Sequence, residues 1–560
     1  MVITDENLKQ LITQKGLVDA KKLEELVRLA HENKSPLQNV LVEQDIISDA
    51  NLGLLIADFF KLPFVILSKT FISDEVFHII PESVARKYKV IPFARDKESV
   101  KIAMQDPSDG EIQRVIAKKT GSKVIPYFAT ERDISNAFRI YKKDVQKTIN
   151  ELINAQGIGT KLHKTNEAPI AQIVDIIIND AYQDKASDIH IEAIEDASLV
   201  RFRIDGVLHD TVRLPKNIHE QIIARIKVLS KLRTDEHLSA QDGKMRINVT
   251  DENLDIRVSI IPIAEGEKVV LRLLASQSRR FTLIDLGMGE KDLRKVEGVM
   301  NKSFGMILAT GPTGSGKTST IYAILKILNT RDRNITTIED PVEYRIRGVN
   351  QIQANPKTNL TFANGLRSIL RQDPNIIFVG EIRDNETAGI AVNAALTGHL
   401  VLSTLHTNNA ATALPRLIDM KVEPFLVGST VNIIIAQRLL RRICEMCNSS
   451  LTVHQNDLVG KIPLEIMKKL FGNKSEIQLY KGKGCKICRF TGYSERIAVF
   501  EVLEITNKIR KLITEKNDAD MIAQEASTEG MTTMLDDGLE KVKKGITTLE
   551  EVLRVTRVDV

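Results

Sequence analysis

The stretch Met306-Ile-Leu-Ala-Thr-Gly-Pro-Thr-Gly-Ser-Gly-Lys-Thr318 decides the fold of this chain. Its last eight residues fit the pattern G-x-x-x-x-G-K-[ST], the phosphate-binding loop of nucleoside triphosphatases. The apolar residues before the loop predict a short buried strand, and residues 317–328 carry apolar side chains at helical spacing. Glycines let backbone N–H groups curl around an anion, and the helix N-terminus adds its positive dipole end.

Each polar group of this loop has an expected partner. Lys317 is expected to reach the β- and γ-phosphates, and the Thr318 hydroxyl to bind Mg²⁺. The alternative is a glycine-rich turn in an α/β domain that binds no nucleotide. The candidate nucleotide-binding residues are Gly311, Pro312, Thr313, Gly314, Ser315, Gly316, Lys317, Thr318 and Ser319.

Three further apolar runs, at residues 335–338, 376–379 and 400–405, predict a parallel α/β sheet around the loop. A glutamate follows each of the first two runs: Glu339 comes directly after Ile338, and Glu381 comes after Val379 and Gly380. A carboxylate at a strand end reaches Mg²⁺, and another orients or deprotonates the attacking water. We assign Glu381 to Mg²⁺ and Glu339 to water, with the reverse assignment open. Either glutamate could instead be a helix N-terminal acid.

The third run lies between two histidines, His399 before it and His406 after it. A histidine at a strand end could sense the γ-phosphate or assist a catalytic acid. The alternative is a structural histidine with satisfied hydrogen bonds.

All four cysteines of the chain fall into two C-x-x-C pairs, Cys444/Cys447 and Cys485/Cys488. This pattern predicts a tetrahedral zinc site, with a hairpin or helix inserted between the pairs. Unligated buried thiols and a redox pair are the alternatives.

Length and composition restrict the protein class. A chain of 560 residues predicts about three or four domains, and 43% hydrophobic residues suffice for several cores. No run of 18 apolar residues and no signal-peptide pattern is found, so we expect a cytoplasmic protein. A net charge of +5 and 4% aromatic residues give no reason to expect a nucleic-acid partner.

The pattern along the chain predicts four regions. Residues 1–140 form an N-terminal docking or regulatory region, with a helical repeat at 1–75 (Asp19 and Ser48 as N-caps) and a small α/β subdomain at 76–140. A linker at 141–167 leads to an α+β domain at 168–280 with alternating strands. The nucleotide core follows at 281–560 and includes the zinc module at 440–490.

Four segments together resemble the secretion and pilus motor ATPases: GPTGSGKT (311–318), TIEDPVE (337–343), LRQDPNIIFVGEIRD (370–384) and TGHLVLSTLHTNNA (397–410). They are similar to that family's phosphate loop, Asp box, second Walker motif and His box, in that order. SDIHIE (187–192) and VRFRIDG (200–206) resemble its second N-terminal domain. The resemblance implies a RecA-like P-loop ATPase core, with ATP, Mg²⁺ and Zn²⁺ as cofactors.

The resemblance also implies partners and further site residues. Arg257 and Arg272 match positions that reach the nucleotide in the family, with Arg201 and Arg203 as lesser candidates. Members form hexameric rings and act with an inner-membrane platform protein, which implies peripheral membrane association. The zinc module and long N-terminal region favour a motor that extracts pilin subunits for type IV pilus assembly. The alternatives are a type II secretion ATPase, a nucleic-acid translocase and a nucleotide-dependent scaffold.

Residues 1–75 resemble an N-terminal domain that binds cyclic di-GMP in some members. In those members an Arg-Leu-Gly triplet opens each nucleotide-contacting motif, whereas this chain has Ser35-Pro36-Leu37 at the matching place. The arginine that pairs with phosphate and guanine is missing. We therefore expect no cyclic di-GMP binding and favour docking to a platform subunit.

Overall fold

The structure is a computed structural model of the full chain. It describes all residues except 1–2, 16, 34, 44–45, 48, 68–69, 71, 139–144, 156–166, 250–251, 275–281, 459–463, 473, 486 and 557–560. Within the described residues, no helix combines the length and the apolar character needed to cross a membrane. The chain divides into two compact units, one of residues 62–279 and the other of residues 2–61 with 280–560.

The first residues are helical, as the sequence predicts. The helix α2 begins at Ala20, directly after the predicted cap Asp19, while the second predicted cap, Ser48, lies outside the described residues. Apolar side chains such as Leu8, Ile12 and Leu37 are buried in this region. The helices are α1 (Asp5–Lys15), α2 (Ala20–Asn33), α3 (Leu37–Glu43) and α4 (Asp49–Phe59).

A small α/β layer follows, and its three strands are those that the sequence predicts. Strands β1 and β2 pair antiparallel, and β3 pairs parallel with β2, in the order β1-β2-β3. The elements are α5 (Asp74–Phe77), α6 (Glu82–Tyr88), β1 (Val90–Arg95), β2 (Ser99–Met104), α7 (Gly110–Thr120), β3 (Lys123–Phe128) and α8 (Glu131–Ala137).

The predicted linker at 141–167 is wrong in its first half. A helix, α9 (Val145–Ala155), lies there and buries Val145, Ile149 and Ile153 at a spacing of four residues. These positions form one apolar face of the helix. The average composition of the segment is polar, so it does not reveal this face. The second half of the predicted linker, residues 156–166, lies outside the described residues.

The predicted α+β domain has a six-stranded antiparallel sheet in the order β6-β5-β4-β9-β8-β7. Its strands alternate between buried apolar residues and polar residues, as the period of two predicts. The elements are α10 (Glu167–Gln183), β4 (Asp188–Ala193), β5 (Ala197–Ile204), β6 (Val207–Pro215), α11 (His219–Leu229), β7 (Gln241–Val249), β8 (Glu252–Ile263) and β9 (Gly266–Leu274).

The nucleotide core has a seven-stranded sheet in the order β12-β11-β13-β14-β10-β15-β18, parallel except for the pair β15–β18. Apolar clusters cover both faces of this sheet, as is usual for parallel sheets. The elements are α12 (Glu290–Met300), β10 (Gly305–Thr310), α13 (Lys317–Leu328), β11 (Ile335–Glu339), β12 (Asn350–Gln353), α14 (Phe362–Ile369), β13 (Ile376–Val379), α15 (Asn385–Leu396), β14 (Leu400–Leu405), α16 (Ala413–Asp419), α17 (Pro424–Thr430), β15 (Val431–Ile443) and β18 (Tyr493–Glu504).

Between β15 and β18 the chain forms the insertion that the cysteine spacing predicts. It contains an antiparallel hairpin, β16 (Asn448–His454) with β17 (Glu476–Gly482), and two helices, α18 (Gln455–Leu458) and α19 (Leu464–Phe471). After β18 come α20 (Asn507–Thr514), α21 (Ala519–Thr528), α22 (Met534–Lys543) and α23 (Leu549–Thr556).

Candidate nucleotide site and cysteine cluster

The glycine loop lies between the buried strand β10 and the helix α13, as the sequence predicts. Its glycines adopt positive φ angles, 147° at Gly311, 79° at Gly314 and 89° at Gly316, where side chains with a Cβ are strained. A Cβ on Gly311 would lie 2.5 Å from the backbone oxygen of Gln437. The loop conformation therefore requires glycine, and it leaves the backbone close to any bound phosphate.

Lys317 is the first residue of α13 and is 8% exposed. Its Nζ donates hydrogen bonds to the carbonyl oxygens of Gly311 at 2.8 Å and Pro312 at 3.1 Å. Burial lowers the pKa of Lys317, while the charge of Glu381 acts in the opposite direction. The ammonium group is thus held against the loop, in a position suited to phosphate oxygens.

Gln437, in the middle of β15, contacts the backbone of the glycine loop. It was not identified from the sequence. Its Nε2 donates to the backbone oxygen of Ser315 at 2.7 Å, and the residue is 1% exposed. The signal was available, because a glutamine in a run of buried apolar residues needs a specific partner. Among the described residues, the hydroxyl of Ser315 is buried and has no hydrogen-bond partner.

The loop residues fit a nucleotide phosphate with its Mg²⁺. Three glycines keep the cradle open, Lys317 supplies positive charge, and Ser315 offers a buried hydroxyl that has no partner in the part of the chain that the structure describes. Thr318 and Ser319 follow in the first turn of α13 and are half-buried. A hydroxyl at the position of Thr318 is the usual protein ligand of Mg²⁺ in such loops.

Glu381, two residues after the end of β13, contacts one of the two predicted histidines. Its carboxylate accepts from the Nη2 of Arg383 at 2.5 Å and contacts the Nε2 of His406 at 3.1 Å. The Glu381 side chain is 12% exposed. Strands β13 and β10 both pair in parallel with β14, so Glu381 and the glycine loop lie at the same edge of the sheet. The hydrogen bond from Arg383 to Glu381 raises the pKa of the arginine. The structure therefore brings together Lys317, Glu381 and His406.

His399 does not contact a site carboxylate in the described structure. Its Nδ1–H donates to the carbonyl oxygen of Ala394 at 2.9 Å, at the C-terminal end of α15. The same carbonyl oxygen also accepts from the His399 N–H and from Thr397 Oγ1, both at 3.2 Å, so the imidazole is one of several donors that close this helix end. The geometry fits the structural alternative for His399, and only His406 of the two predicted histidines lies against a site acid.

Glu339 ends β11 in a buried network and is 2% exposed. Its carboxylate accepts from the Tyr322 hydroxyl, from Thr337 Oγ1 at 2.5 Å and from Gln351 Nε2 at 3.2 Å. Burial raises the pKa of Glu339, and these three donors act against that effect. The exposed carboxylates of this segment belong to Asp340 and Glu343. The role of Glu339 toward the attacking water stays a prediction.

Arg257 and Arg272 form part of a charged row across the six-stranded sheet. Arg272 lies opposite both Arg257 and Asp188, and its Nε donates to Asp188 Oδ1 at 2.9 Å while the side chain stays 61% exposed. Arg201 and Arg203 pair with Glu192 and Asp188. The alternation of β4 explains this row, because Asp188 and Glu192 lie on one face. The contact of these arginines with nucleotide stays a prediction.

The four cysteines come together, as their spacing predicts. Their Sγ atoms all lie within 4.8 Å of one another. Three separations are 3.8, 3.7 and 3.7 Å, for the pairs Cys444–Cys485, Cys447–Cys488 and Cys485–Cys488. Four sulfurs at about 2.3 Å from a tetrahedral zinc ion stand roughly 3.8 Å apart. The cluster therefore has the size of a zinc site.

Backbone amides support the same interpretation. The N–H of Gly484 donates to Cys447 Sγ at 3.2 Å, and the N–H groups of Cys485 and Gly492 donate to Cys488 Sγ at 3.1 and 3.3 Å. Such donors stabilise sulfur in its anionic form, which is the form that binds metal. The donor set and its surroundings fit Zn²⁺.

A glycine loop with a buried lysine, between a central parallel strand and a helix, defines a P-loop ATPase core of the RecA type. The sequence model of the family described as "Type II/IV secretion system protein" matches residues 163–554. The chain therefore belongs to this family, and it is an ATPase. The predicted resemblance and the predicted fold class are confirmed.

Relatives support the same family over the whole chain. A type IV pilus assembly ATPase PilB of Myxococcus xanthus is 36% identical over 99% of this chain and 99% of its own length. A type II secretion system protein E of Pseudomonas aeruginosa is 44% identical over 71% of this chain and 77% of its own. The solved ATPase DotB of Legionella pneumophila shares the fold, with TM-score 0.51 and 21% identity over 69% of this chain and 96% of that one.

A second family model, described as "MshEN domain", matches residues 60–146. This range contains the sheet β1-β2-β3 and lies largely after the helical residues 1–75, where the sequence analysis placed the resemblance to a cyclic di-GMP-binding domain. The position of that resemblance is corrected accordingly. The expected absence of cyclic di-GMP binding was argued from Ser35-Pro36-Leu37, outside the matched range, and it stays a prediction.

Proposed function

We propose that this chain is the motor ATPase of type IV pilus assembly and that it extracts pilin subunits from the inner membrane. The main support for this proposal is the similarity to a pilus assembly ATPase over 99% of both chains, combined with an intact phosphate loop. A type II secretion ATPase is the second candidate, because a protein E of that system is 44% identical. That similarity covers 71% of this chain.

The geometry supports a division of roles in ATP hydrolysis. Lys317 and the loop amides hold the β- and γ-phosphates, while Thr318 and Glu381 hold Mg²⁺. Mg²⁺, when bound, neutralises charge on the phosphates. Arg383 and His406 orient Glu381 through the contacts at 2.5 and 3.1 Å. Glu339 orients the attacking water, and the reverse assignment of the two glutamates remains the alternative.

The same proposal includes the assembly and its surroundings. The chain acts as a hexameric ring in the cytoplasm and associates with the inner membrane through a platform protein. Arg257 and Arg272 contribute positive charge to the nucleotide, and the four cysteines hold Zn²⁺. Residues 1–140 dock to the machinery, and residues 168–280 and 281–560 form the two motor domains.

ATP turnover by the purified full chain with Mg²⁺ tests the enzymatic part. The Lys317→Ala variant is expected to lose turnover by about 100-fold or more, because the main phosphate cation is gone. Lys511→Ala is the matched control, since Lys511 is an exposed lysine of the same unit. Duplex DNA is expected to leave turnover unchanged. Stimulation by DNA would instead favour a nucleic-acid translocase.

Complementation separates the two biological candidates. In a bacterium that lacks its pilus assembly ATPase, the chain is expected to restore surface pili, and Lys317→Ala is expected not to. Restored secretion in a strain lacking its secretion ATPase, without pili in the first strain, would support the second candidate.

A further inference from the structure

Tyr322 connects the helix that begins at Lys317 with the strand that ends at Glu339. It lies on α13, five residues after Lys317, and is fully buried. Its hydroxyl donates to Glu339 Oε2, at the end of the separate strand β11. The helix that begins in the phosphate loop is therefore joined by a side chain to the strand that carries the acid.

The surroundings fix the phenol in one place. The Tyr322 ring meets Tyr344 edge-to-face at 4.6 Å between centroids and Phe378 at 6.2 Å. Burial raises the pKa of Tyr322, and the nearby Glu339 carboxylate raises it further, so the hydroxyl keeps its proton. A buried phenol that packs on aromatic rings has one fixed position, so its hydrogen bond fixes the distance and the direction of the Glu339 carboxylate.

Gln351 extends the contact into the segment after Glu339. Its Nε2 donates to Glu339 Oε1 at 3.2 Å and to the backbone carbonyl oxygen of Tyr344 at 3.1 Å. Its Oε1 accepts from the N–H of Ile346 at 2.7 Å. The same amide lies 3.4 Å from the Tyr322 hydroxyl. Through this network the segment between β11 and β12 is tied to the phosphate-loop helix.

We propose that Tyr322 is a positioning residue for ATP hydrolysis. It holds Glu339, and with it the segment that carries Asp340 and Glu343, at a fixed place relative to Lys317. Phosphates bind at the loop and the attacking water must be oriented from this acidic segment, so loss of the phenol reduces chemistry more than binding. The inference rests on the proposed function.

The test is Tyr322→Phe in the full chain, which keeps the aromatic packing and removes the hydroxyl. The expected result is a fall in kcat of at least tenfold, with ADP affinity within about twofold of the wild type. Tyr493→Phe is the matched control, because it removes a phenol contact of 2.8 Å to Thr548 in the same unit. Its kcat is expected to stay at the wild-type value.

A second variant guards against a folding defect. Gln351→Leu removes a second of the three donors to Glu339, on the edge strand β12, and is expected to give the same separation of kcat from ADP affinity. An unchanged kcat in Tyr322→Phe overturns the inference, as does a parallel loss of kcat, affinity and thermal stability. If the wild type itself does not hydrolyse ATP, the proposed function fails instead, so the two failures are distinguishable.

Discussion

The side-chain amide of Gln437 donates to the backbone oxygen of Ser315 at 2.7 Å, which ties strand β15 to the middle of the phosphate loop. The partner is a main-chain carbonyl, so the contact fixes the loop path and does not depend on the identity of residue 315. The strand β15 lies directly beside β10 in the sheet, and β10 leads into the loop. The loop is therefore held at its centre as well as at both ends.

Gln437→Ala is expected to weaken ADP binding roughly fivefold, because a buried hydrogen bond contributes about 1 kcal/mol. Binding is measured by titration with a fluorescent nucleotide analogue. Gln478→Ala is the control, since Gln478 donates to Thr452 on the exposed hairpin of the insertion. Equal affinities in wild type and Gln437→Ala would contradict a role of this contact in shaping the loop.

Gly311→Ala is expected to abolish nucleotide binding. The added Cβ would lie 2.5 Å from the backbone oxygen of Gln437, at a φ of 147° that alanine adopts only with strain. Gly389→Ala is the matched control, because Gly389 lies inside α15 with nothing within 4 Å of its Cβ position. The control is expected to bind ADP normally and to gain about 0.5–1 kcal/mol in stability. Binding is followed by calorimetry.

The two glutamates are expected to differ in their effect on binding. Glu381→Gln should reduce kcat about 100-fold and weaken the dependence on Mg²⁺, because the carboxylate beside Arg383 and His406 loses its charge. Glu339→Gln should reduce kcat while ATP binding and its Mg²⁺ dependence stay intact. Titrations of Mg²⁺ at fixed ATP measure both effects.

The control for the glutamate series is Glu386→Gln, an exposed glutamate of α15 that pairs with Arg367. A wild-type rate in Glu339→Gln would remove Glu339 from the water-orienting role. If Mg²⁺ dependence changed in Glu339→Gln and not in Glu381→Gln, the reverse assignment of the two acids would hold.

Local patterns predicted the phosphate loop, the core strands and each of the two C-x-x-C pairs, because each of these depends on residues close in sequence. The loop needs Gly311, Gly314 and Gly316 at fixed spacing, and the strand ends place Glu339 and Glu381 at one edge of a parallel sheet. These signals do not depend on distant partners.

The contacts of Tyr322, Gln351 and Gln437 could not be predicted from spacing, because each crosses from one element to another. Tyr322 reads as one apolar position of α13, and only the packed structure shows its hydroxyl at Glu339. The helix α9 was missed for a different reason. Its buried Ile149 and Ile153 lie in a stretch in which most residues are polar, so the average polarity concealed an amphipathic pattern.

Metal content gives a direct test of the cysteine cluster. One zinc ion per chain is expected from the purified protein, and a mercurial thiol reagent should release it as the four cysteines react. Cys488→Ser is expected to lose zinc and to lower the thermal midpoint. The control is Ser449→Ala, which removes a hydroxyl on the hairpin outside the cluster. Wild-type protein with four freely reactive thiols and no zinc would contradict the metal site.

The buried carboxylate of Glu551 makes the stability of the fold depend on pH. Burial raises the pKa of Glu551, but hydrogen bonds from Arg554 and Arg441 outweigh it and hold that pKa at about 2. The folded pKa lies below the ordinary value of 4.5, so the stabilisation is complete above about pH 5 and is lost as pH falls toward 2. At pH 7 the stabilisation is about 3 kcal/mol, because the pKa falls from 4.5 to about 2 and the side chain is buried, so solvent screens the interaction little.

Glu551→Gln is therefore expected to lower the thermal midpoint at pH 7, and its difference from the wild type should shrink between about pH 5 and pH 3. Glu550→Gln, the exposed neighbour, is the control for general acid effects, including loss of metal from the cysteines. Midpoints are measured by differential scanning fluorimetry across this pH range. A difference that stays constant with pH would mean that Glu551 stabilises α23 by shape and not by its charge on Arg441 and Arg554.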